Sequence, residues 1–321
     1  MTIGDQDLLK DKIVWKVRNP DNDQRISFVV GSGLTRGPVP GVAEYVRKFR
    51  RNLDTSEART RFDTSVAGTK GAEAYQRAAA YIELSKDRNF LTRLVRLGVL
   101  QACTGLSSAT KNRLVRNEIE LADLELDPSI WNLTPGVESF GELLVNIPRE
   151  RRGIVLTTNF DPLIEVAVRK AGGQARSQWL EGDGRIAPWN MHNEIHVIHM
   201  HGFWSQGNTL HTEWQLTRPR PVLEGSVRDA LTNSFALVCG YGGWKDTFTR
   251  SLLDRVREQN DLRMEYAWSW HSTLDESDFS YGIRAELKNI GSVFHYAGVD
   301  LNSFFPDLAA EVKRLSGSAG P

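Results

Sequence analysis

The sequence has too few cysteines and too little net charge for several common classes of protein. Its 321 residues include two cysteines, Cys103 and Cys239, which cannot build a disulfide framework or a four-cysteine zinc site. Lysine plus arginine number 40, as do aspartate plus glutamate, so the net charge is zero. Without a basic excess, no strong direct binding of nucleic acid is expected.

Long apolar segments are missing as well. Residues 1–12 are charged and contain no apolar signal-peptide core. No run approaches the ~18 apolar residues that a membrane span requires. We therefore predict a cytoplasmic protein without membrane association. The remaining composition, 40% hydrophobic and 25% charged, is typical of a globular protein with one large or two modest domains.

The most informative stretch is 153–162, with the sequence GIVLTTNFDP. Its first half is a continuous apolar run, which is typical of a buried strand. Thr158 and Asn159 then stand at the carboxyl end of that strand, where open α/β sheets bind ligands. Asp161 and Pro162 predict the N-cap and the first position of a following helix, which the paired glycines 172–173 end. The alternative is that Asn159 only caps a turn.

Two glycine-rich turns follow other predicted strands. The sequence GSGLT at 31–35 follows a strand at 26–30, and GYG at 240–242 follows a strand at 235–240. Glycines allow backbone amides to approach a phosphate, and we predict that the first turn holds a pyrophosphate at a helix N-terminus. Its spacing is longer than the usual dinucleotide fingerprint, so a structural glycine turn is the alternative.

A strand beginning at Ile195 leads to His201-Gly202, which places His201 at the same sheet edge as Asn159. We interpret His196 and His199 as core residues. Together with His192 and His201 they could also be metal ligands, but no cysteine or carboxylate spacing completes a site. No metal is therefore expected.

Strands alternate with helices along most of the chain, which predicts an α/β fold with a doubly wound, parallel, Rossmann-like sheet. Residues 50–132 show no strand-like alternation and are predicted to form a helical insertion or cap within a single domain, 1–321. Predicted helices lie at 73–84, 90–102, 111–124, 139–145, 247–257 and about 306–315, with a loop at 51–70 and an irregular segment at 178–193. Ser139 and Glu142 predict a capping box, and Asp246 predicts an N-cap.

Four separated stretches resemble the sirtuin-like NAD-binding family. The turn at 31–35 is similar to the first cofactor loop of that family, and TTNFD at 157–161 resembles its T-x-N-x-D element. His201-Gly202 resembles the catalytic histidine, and 240–242 the small-residue loop on the adenosine side. The resemblance implies that NAD+ is the substrate and that Asn159 and His201 are catalytic. The residues it places around NAD+ are Gly31, Ser32, Gly33, Thr35, Thr158, Asp161, Gly240, Tyr241 and Gly242.

The chemistry of the family gives these residues expected roles. Asn159 would hydrogen-bond the ribose or orient a water, and His201 would act as a base, since imidazoles titrate near neutral pH. Asp161 would stabilise positive charge or hold the nicotinamide amide, unless it serves only as a helix cap. Tyr241 and Trp244 would pack against the adenosine, with ordinary core packing as the alternative.

The departures from the family are informative as well. Two cysteines cannot form the zinc module of deacylating sirtuins, and the usual I-P-D-F-R sequence after the first loop is replaced by GPVPG at 37–41. What remains resembles the bacterial defence branch of the family. That branch implies an NAD+ hydrolase that releases nicotinamide and ADP-ribose, and that acts in antiviral defence through abortive infection by NAD depletion.

An enzyme that destroys NAD+ must be silent until it is triggered. The resemblance implies activation by homo-oligomer formation or by a separate partner, for example a DNA-translocating ATPase, an Argonaute-like protein or a nucleotide-processing enzyme. The insertion 50–132 is the candidate surface. Two alternatives are an NAD-dependent protein deacylase or ADP-ribosyltransferase, and a non-catalytic subunit that binds NAD or ADP-ribose. The missing zinc module disfavours the first, and the Asn159–His201 pair disfavours the second.

Overall fold

The strands form one parallel sheet. A computed structural model describes residues 2–119, 124–188, 194–207, 209–257, 264–279, 282–288 and 290–317. The strands in these ranges are β1 (Ile3–Gly4), β2 (Arg25–Val30), β3 (Arg152–Thr157), β4 (Ala175–Trp179), β5 (Ile195–His199), β6 (Ser234–Cys239), β7 (Glu265–Ser269) and β8 (Val293–Tyr296). Their order is β1-β8-β7-β6-β2-β3-β5-β4, and every neighbouring pair is parallel.

Helices connect the strands. Within the described ranges they are α1 (Gln6–Arg18), α2 (Val42–Arg51), α3 (Ser56–Val66), α4 (Gly71–Ser85), α5 (Arg88–Val99), α6 (Ser108–Val115), α7 (Pro135–Asn146), α8 (Leu163–Lys170), α9 (Glu213–Thr217), α10 (Pro221–Leu231), α11 (Thr247–Arg257), α12 (Gly282–Leu287) and α13 (Leu301–Gly317). None of these helices is long and apolar enough to cross a membrane.

Apolar side chains cover both faces of the sheet. On one face α1, α7, α8 and α13 form a core in which Phe140 of α7 lies 4.8 Å from Phe305 of α13, centroid to centroid. On the other face α10, α11 and α12 form a second core through residues such as Leu223, Phe248 and Leu287. Helices on both faces of a parallel sheet define a doubly wound α/β fold, so the predicted fold class is confirmed.

A third apolar cluster joins the helices between β2 and β3. It contains Tyr45 and Phe49 of α2, Phe62 of α3, Tyr75 of α4 and Leu91 of α5. These helices fall largely within the predicted insertion, 50–132, although α2 begins before residue 50. The division of the chain at residues 50 and 132 stays a prediction.

Several helix predictions were wrong. The segment 51–70 is not a loop, because α3 begins after Thr55, whose side chain accepts a hydrogen bond from the Ala58 amide. Its helical pattern is weak because Phe62 is its only buried residue. The helix predicted at 111–124 spans Ser108–Val115 instead, and it ends before Asn117, whose φ is 57°. Residues 120–123 lie outside the described ranges.

Some predicted boundaries were wrong as well. Ser139 and Glu142 form no capping box, because they lie inside α7, which Thr134 caps with Pro135 at the first position. The helix α8 begins at Leu163 rather than Pro162, and α13 begins at Leu301 with Pro306 inside it. The edge strand β4 was missed, because its half-buried residues show little apolar periodicity. Asp246 does cap α11, accepting the Thr249 amide at 3.2 Å.

Candidate active site at the carboxyl edge of the sheet

A cleft opens where the chain leaves four adjacent strands, β6, β2, β3 and β5. It contains about 600 Å³ of space not occupied by atoms, including its opening to solvent. In the sheet, β3 and β5 lie on one side of β2, and β6 lies on the other. The cleft therefore lies at the topological switch point, where the strand order reverses and where such sheets bind ligands.

Most of the residues predicted from sequence line this cleft. They are Ser32, Thr35, Thr158, Asn159, Asp161, His201, Gly240, Tyr241 and Gly242. The prediction that His201 and Asn159 share one cleft is therefore confirmed. Gly31 and Gly33 lie next to the cleft and contact Gly240.

The glycines of the first turn allow two loops to touch. The Gly31 amide donates to Cys239 O at 3.0 Å, and the Gly33 amide donates to Gly240 O at 2.8 Å. A Cβ atom on Gly33 would stand 2.7 Å from Gly240 Cα, which is too close for any side chain. The prediction that this turn holds a pyrophosphate at a helix N-terminus was wrong. The Gly31 and Gly33 amides already donate to main-chain oxygens, and the next helix, α2, begins only at Val42.

Asn159 is held rigidly with one atom left available. Its Nδ2 donates to Thr35 Oγ1 at 3.2 Å and to Gly31 O at 3.4 Å. Its main-chain amide donates to Thr157 Oγ1 at 3.0 Å. The Oδ1 atom is buried and has no hydrogen-bond partner among the described residues. Because the Nδ2 contacts fix the orientation of the amide, Oδ1 is a preset acceptor for a ligand hydroxyl or a water.

A buried ion pair lies behind Asn159. His199 Nδ1 hydrogen-bonds Asn159 O at 2.7 Å, and His199 Nε2 is 2.7 Å from Glu165 Oε1. Ser177 Oγ also donates to Glu165 Oε1. Burial alone would lower the pKa of His199, but the Glu165 charge raises it above its ordinary value. Burial would raise the pKa of Glu165, but His199 and Ser177 lower it. Both shifts favour the charged forms of the two groups.

The histidines interpreted as core residues are indeed structural. His199 is fully buried with both ring nitrogens bonded, and His196 is buried with a pKa lowered to about 4, first by burial and then by the Arg176 charge. His192 lies outside the described residues. Within the described ranges, no group of three or more histidine, cysteine, aspartate or glutamate side chains could hold a metal ion.

Asp161 has the hydrogen bonds of a structural carboxylate. Its Oδ2 accepts from Thr35 Oγ1 at 3.0 Å, and its Oδ1 accepts the Leu163 amide at 3.2 Å. The N-cap prediction for Asp161 was wrong, because Pro162 is the N-cap of α8, and Asp161 precedes it and accepts from the helix only the amide of the first helical residue. Burial raises the pKa of Asp161 to about 6. Thr35 links this carboxyl group to the Asn159 amide.

The partner of His201 was not predicted from the sequence. His201 Nε2 lies 3.1 Å from Asp246 Oδ2, and both side chains are buried. The two atoms are close enough for a hydrogen bond but are not aligned for one, so the contact is primarily electrostatic. Burial alone would raise the pKa of Asp246, but His201 lowers it below its ordinary value. The position of Asp246, after a glycine-rich turn at the end of a core strand, was the available signal.

Aromatic residues form one wall of the cleft. Tyr45, Tyr75 and Trp244 line it, and the Tyr75 and Trp244 rings are 5.9 Å apart. Tyr75 hydroxyl contacts His211 Nδ1 at 2.7 Å, an interaction that the sequence did not reveal. Tyr241 packs on Phe248, which supports core packing for its ring. The helices between β2 and β3 therefore contribute directly to the site.

Comparisons with known proteins agree with the motif pattern. Residues 153–289 match the family model described as a SIR2-like domain. The chain is also similar to a solved structure titled as the crystal structure of a Sir2 homolog–NAD complex. The identity is 12%, the alignment covers 98% of each chain and the TM-score is 0.45, so this overall likeness is low.

Proposed function

We propose that the protein is an NAD+ glycohydrolase that releases nicotinamide and ADP-ribose, in keeping with the match of residues 153–289 to a SIR2-like domain model. The observation that carries the proposal is the buried Asn159 Oδ1, which has no hydrogen-bond partner among the described residues and lies in the cleft that His201 lines. A fixed acceptor beside a basic imidazole suits a ribose that must be oriented while a water attacks it.

The reaction requires few catalytic groups. Water attacks the anomeric carbon, the bond to the pyridinium nitrogen breaks, and its electron pair neutralises the departing nicotinamide. The transition state has oxocarbenium character as in glycoside hydrolysis, but no general acid is needed because the leaving group departs neutral. In this proposal Asn159 Oδ1 accepts a hydrogen bond from a ribose hydroxyl or from the water. His201 accepts the proton that the water loses.

The shape of the cleft favours hydrolysis over protein deacylation. Tyr45, Tyr75 and Trp244 wall the cleft near Asn159, whereas a deacylase must admit an acylated side chain next to the same ribose. The two cysteines, both buried and unpaired, also cannot supply a zinc module. An assay with NAD+ and an acylated peptide separates the two activities.

The biological setting rests on the resemblance. We place the activity in bacterial antiviral defence by abortive infection, switched on by self-assembly or by a separate activator. The candidate contact surface is the predicted insertion, in which Leu84 at the end of α4 is 89% exposed. Light scattering of Leu84→Lys beside the unmodified protein tests this surface, and unchanged assembly would argue against it.

Nicotinamide release from NAD+ tests the proposed activity. Purified protein is compared with His201→Ala and Asn159→Ala, which should lose roughly two to four orders of magnitude in rate. NAD+ binding is measured in parallel by calorimetry. Full turnover in either variant would refute the role of that residue. Binding without release, alone and with the neighbouring gene's product, would favour a binding-only subunit instead.

A further inference from the structure

We propose that Asp246 is the positioning residue for His201, holding the imidazole as the Nε2–H tautomer so that Nδ1 is the nitrogen that accepts a proton. The catalytic meaning of this assignment rests on the proposed hydrolysis. The tautomer itself does not, since it is a property of the resting protein.

The contact between the two side chains determines which nitrogen carries hydrogen. Nε2 of His201 lies 3.1 Å from Oδ2 of Asp246. If the carboxyl group is ionised, it can only accept, and a lone pair on Nε2 would face a second lone pair across this short gap. A hydrogen on Nε2 removes that repulsion. A neutral imidazole carries one hydrogen, so the acceptor must be Nδ1.

The start of α11 fixes the position of Asp246. The Thr249 amide donates to Asp246 Oδ1 at 3.2 Å, and the Asp246 amide donates to Thr249 Oγ1 at 3.0 Å. These reciprocal bonds fix the residue at a helix N-terminus, where a negative charge is favourable. Oδ2 has no hydrogen-bond partner among the described residues, so it is free to face His201.

The electrostatic surroundings of the His201–Asp246 pair are consistent with an ionised Asp246. Arg220, at the start of α10, donates from NH1 to Met200 O at 3.1 Å and also acts electrostatically on Asp246. Burial and then Asp246 raise the pKa of Tyr241, so its hydroxyl stays neutral beside the carboxylate. Burial lowers the pKa of His211 to about 3, which keeps that ring uncharged.

The arrangement defines the path of the proton. The proton from the attacking water moves to Nδ1 of His201, and the hydrogen on Nε2 stays in place facing Asp246. The resulting imidazolium is buried, and the carboxylate at 3.1 Å stabilises it. Asp246 touches neither the substrate nor the transferred proton, and it acts only through His201.

The first test is the tautomer in the unmodified protein. The probe is protein with ¹⁵N-labelled histidine, studied by long-range ¹H–¹⁵N correlation at a pH where the ring is neutral. The His201 signals are assigned from their loss in His201→Gln. We expect a protonated Nε2 and an unprotonated Nδ1. The opposite tautomer would overturn the proposal, whether or not any variant folds.

The second test is Asp246→Asn. Its amide oxygen keeps the Thr249 cap, so its amide nitrogen then faces His201 and favours a hydrogen on Nδ1. We expect an inverted tautomer and a kcat lower by up to about 10⁴-fold, the scale seen when asparagine replaces the aspartate that orients a general-base histidine. KM should change less. The kcat–pH profile of the variant is measured beside that of the unmodified protein.

The matched control is Asp5→Asn, which removes the carboxylate that caps α1 by accepting the Leu8 amide at 2.9 Å. It should leave the tautomer, kcat and pH profile unchanged. An unchanged tautomer and kcat in Asp246→Asn would also overturn the proposal. If the unmodified protein releases no nicotinamide either alone or with the neighbouring gene's product, the hydrolase proposal fails, while the tautomer measurement still decides the role of Asp246.

Discussion

The main-chain oxygen of Asn159 accepts a hydrogen bond of 2.7 Å from Nδ1 of His199, a residue whose other nitrogen is bound to Glu165. The position of Asn159 therefore depends on an ion pair that never reaches solvent. Burying two charges is favourable only while both are present, because removing one leaves the other without compensation.

We expect Glu165→Gln to lower the free energy of unfolding by about 3–5 kcal/mol, the usual cost of breaking a buried pair. Urea unfolding measures this cost. Glu138→Gln is the control, because Glu138 pairs with Lys170 at 2.9 Å on the exposed surface, where such pairs contribute about 0–1 kcal/mol. Equal effects of the two substitutions would show that the buried pair is not important for stability.

The Glu165–His199 pair should also make the free energy of unfolding depend on pH, in both the acidic and the alkaline direction. The lowered pKa of Glu165 contributes stability above the ordinary carboxyl value of about 4, and that contribution is lost as the pH falls through the folded pKa. The raised pKa of His199 contributes stability below about pH 6.5, and that contribution is lost as the pH rises through the folded pKa. Glu165→Gln should therefore reduce both the loss of stability below about pH 4 and the loss above about pH 6.5.

Asp161 should make the folded protein less stable as the pH rises. Its pKa rises on folding from 3.8 to about 6, so the folded state binds a proton more tightly than the unfolded chain does. The free energy of unfolding should then fall by about 2–3 kcal/mol as the pH rises from 4 to 6. Asp161→Asn should abolish this fall, and denaturant titrations at several pH values measure it. An unaltered pH dependence in the variant would show that another group is responsible.

The contact between the two glycine turns should tolerate no side chain. In Gly33→Ala the new Cβ would lie 2.7 Å from Gly240 Cα, so the loops must separate. We expect a loss of stability of about 1–3 kcal/mol, as for other overpacked sites, together with weaker NAD+ binding. Gly41→Ala is the matched control, since its Cβ would meet no atom within 4 Å. Calorimetry and thermal unfolding of both variants decide whether the contact matters.

The sequence predicted the location of the site because parallel strands bring their carboxyl ends to one edge. Apolar runs followed by polar residues identified β2, β3, β5 and β6, and this pattern was enough to bring Asn159 and His201 together. It required no knowledge of the intervening helices. Local capping residues also predicted the start of α11 at Asp246 correctly.

The pairings of the site could not be predicted in the same way. Asp246 follows β6 and His201 follows β5, and two other strands lie between them, so their contact depends on how far each loop reaches across the edge. The contact between Tyr75 and His211 depends on how α4 packs over the cleft. Such distances come from tertiary packing, which periodicity and capping signals do not encode.

The third apolar cluster has a consequence for how the chain folds during synthesis. Strands β2 and β3 are neighbours, yet residues 31–151 separate them, and the other neighbour of β2 is β6, which ends at Cys239. The centre of the sheet can therefore close only after most of the polypeptide has left the ribosome. The cluster of α2 to α5 needs only contacts that are near in sequence, so it should form first. The helices beside the cleft would then be in place before the strands that carry Asn159 and His201 come together.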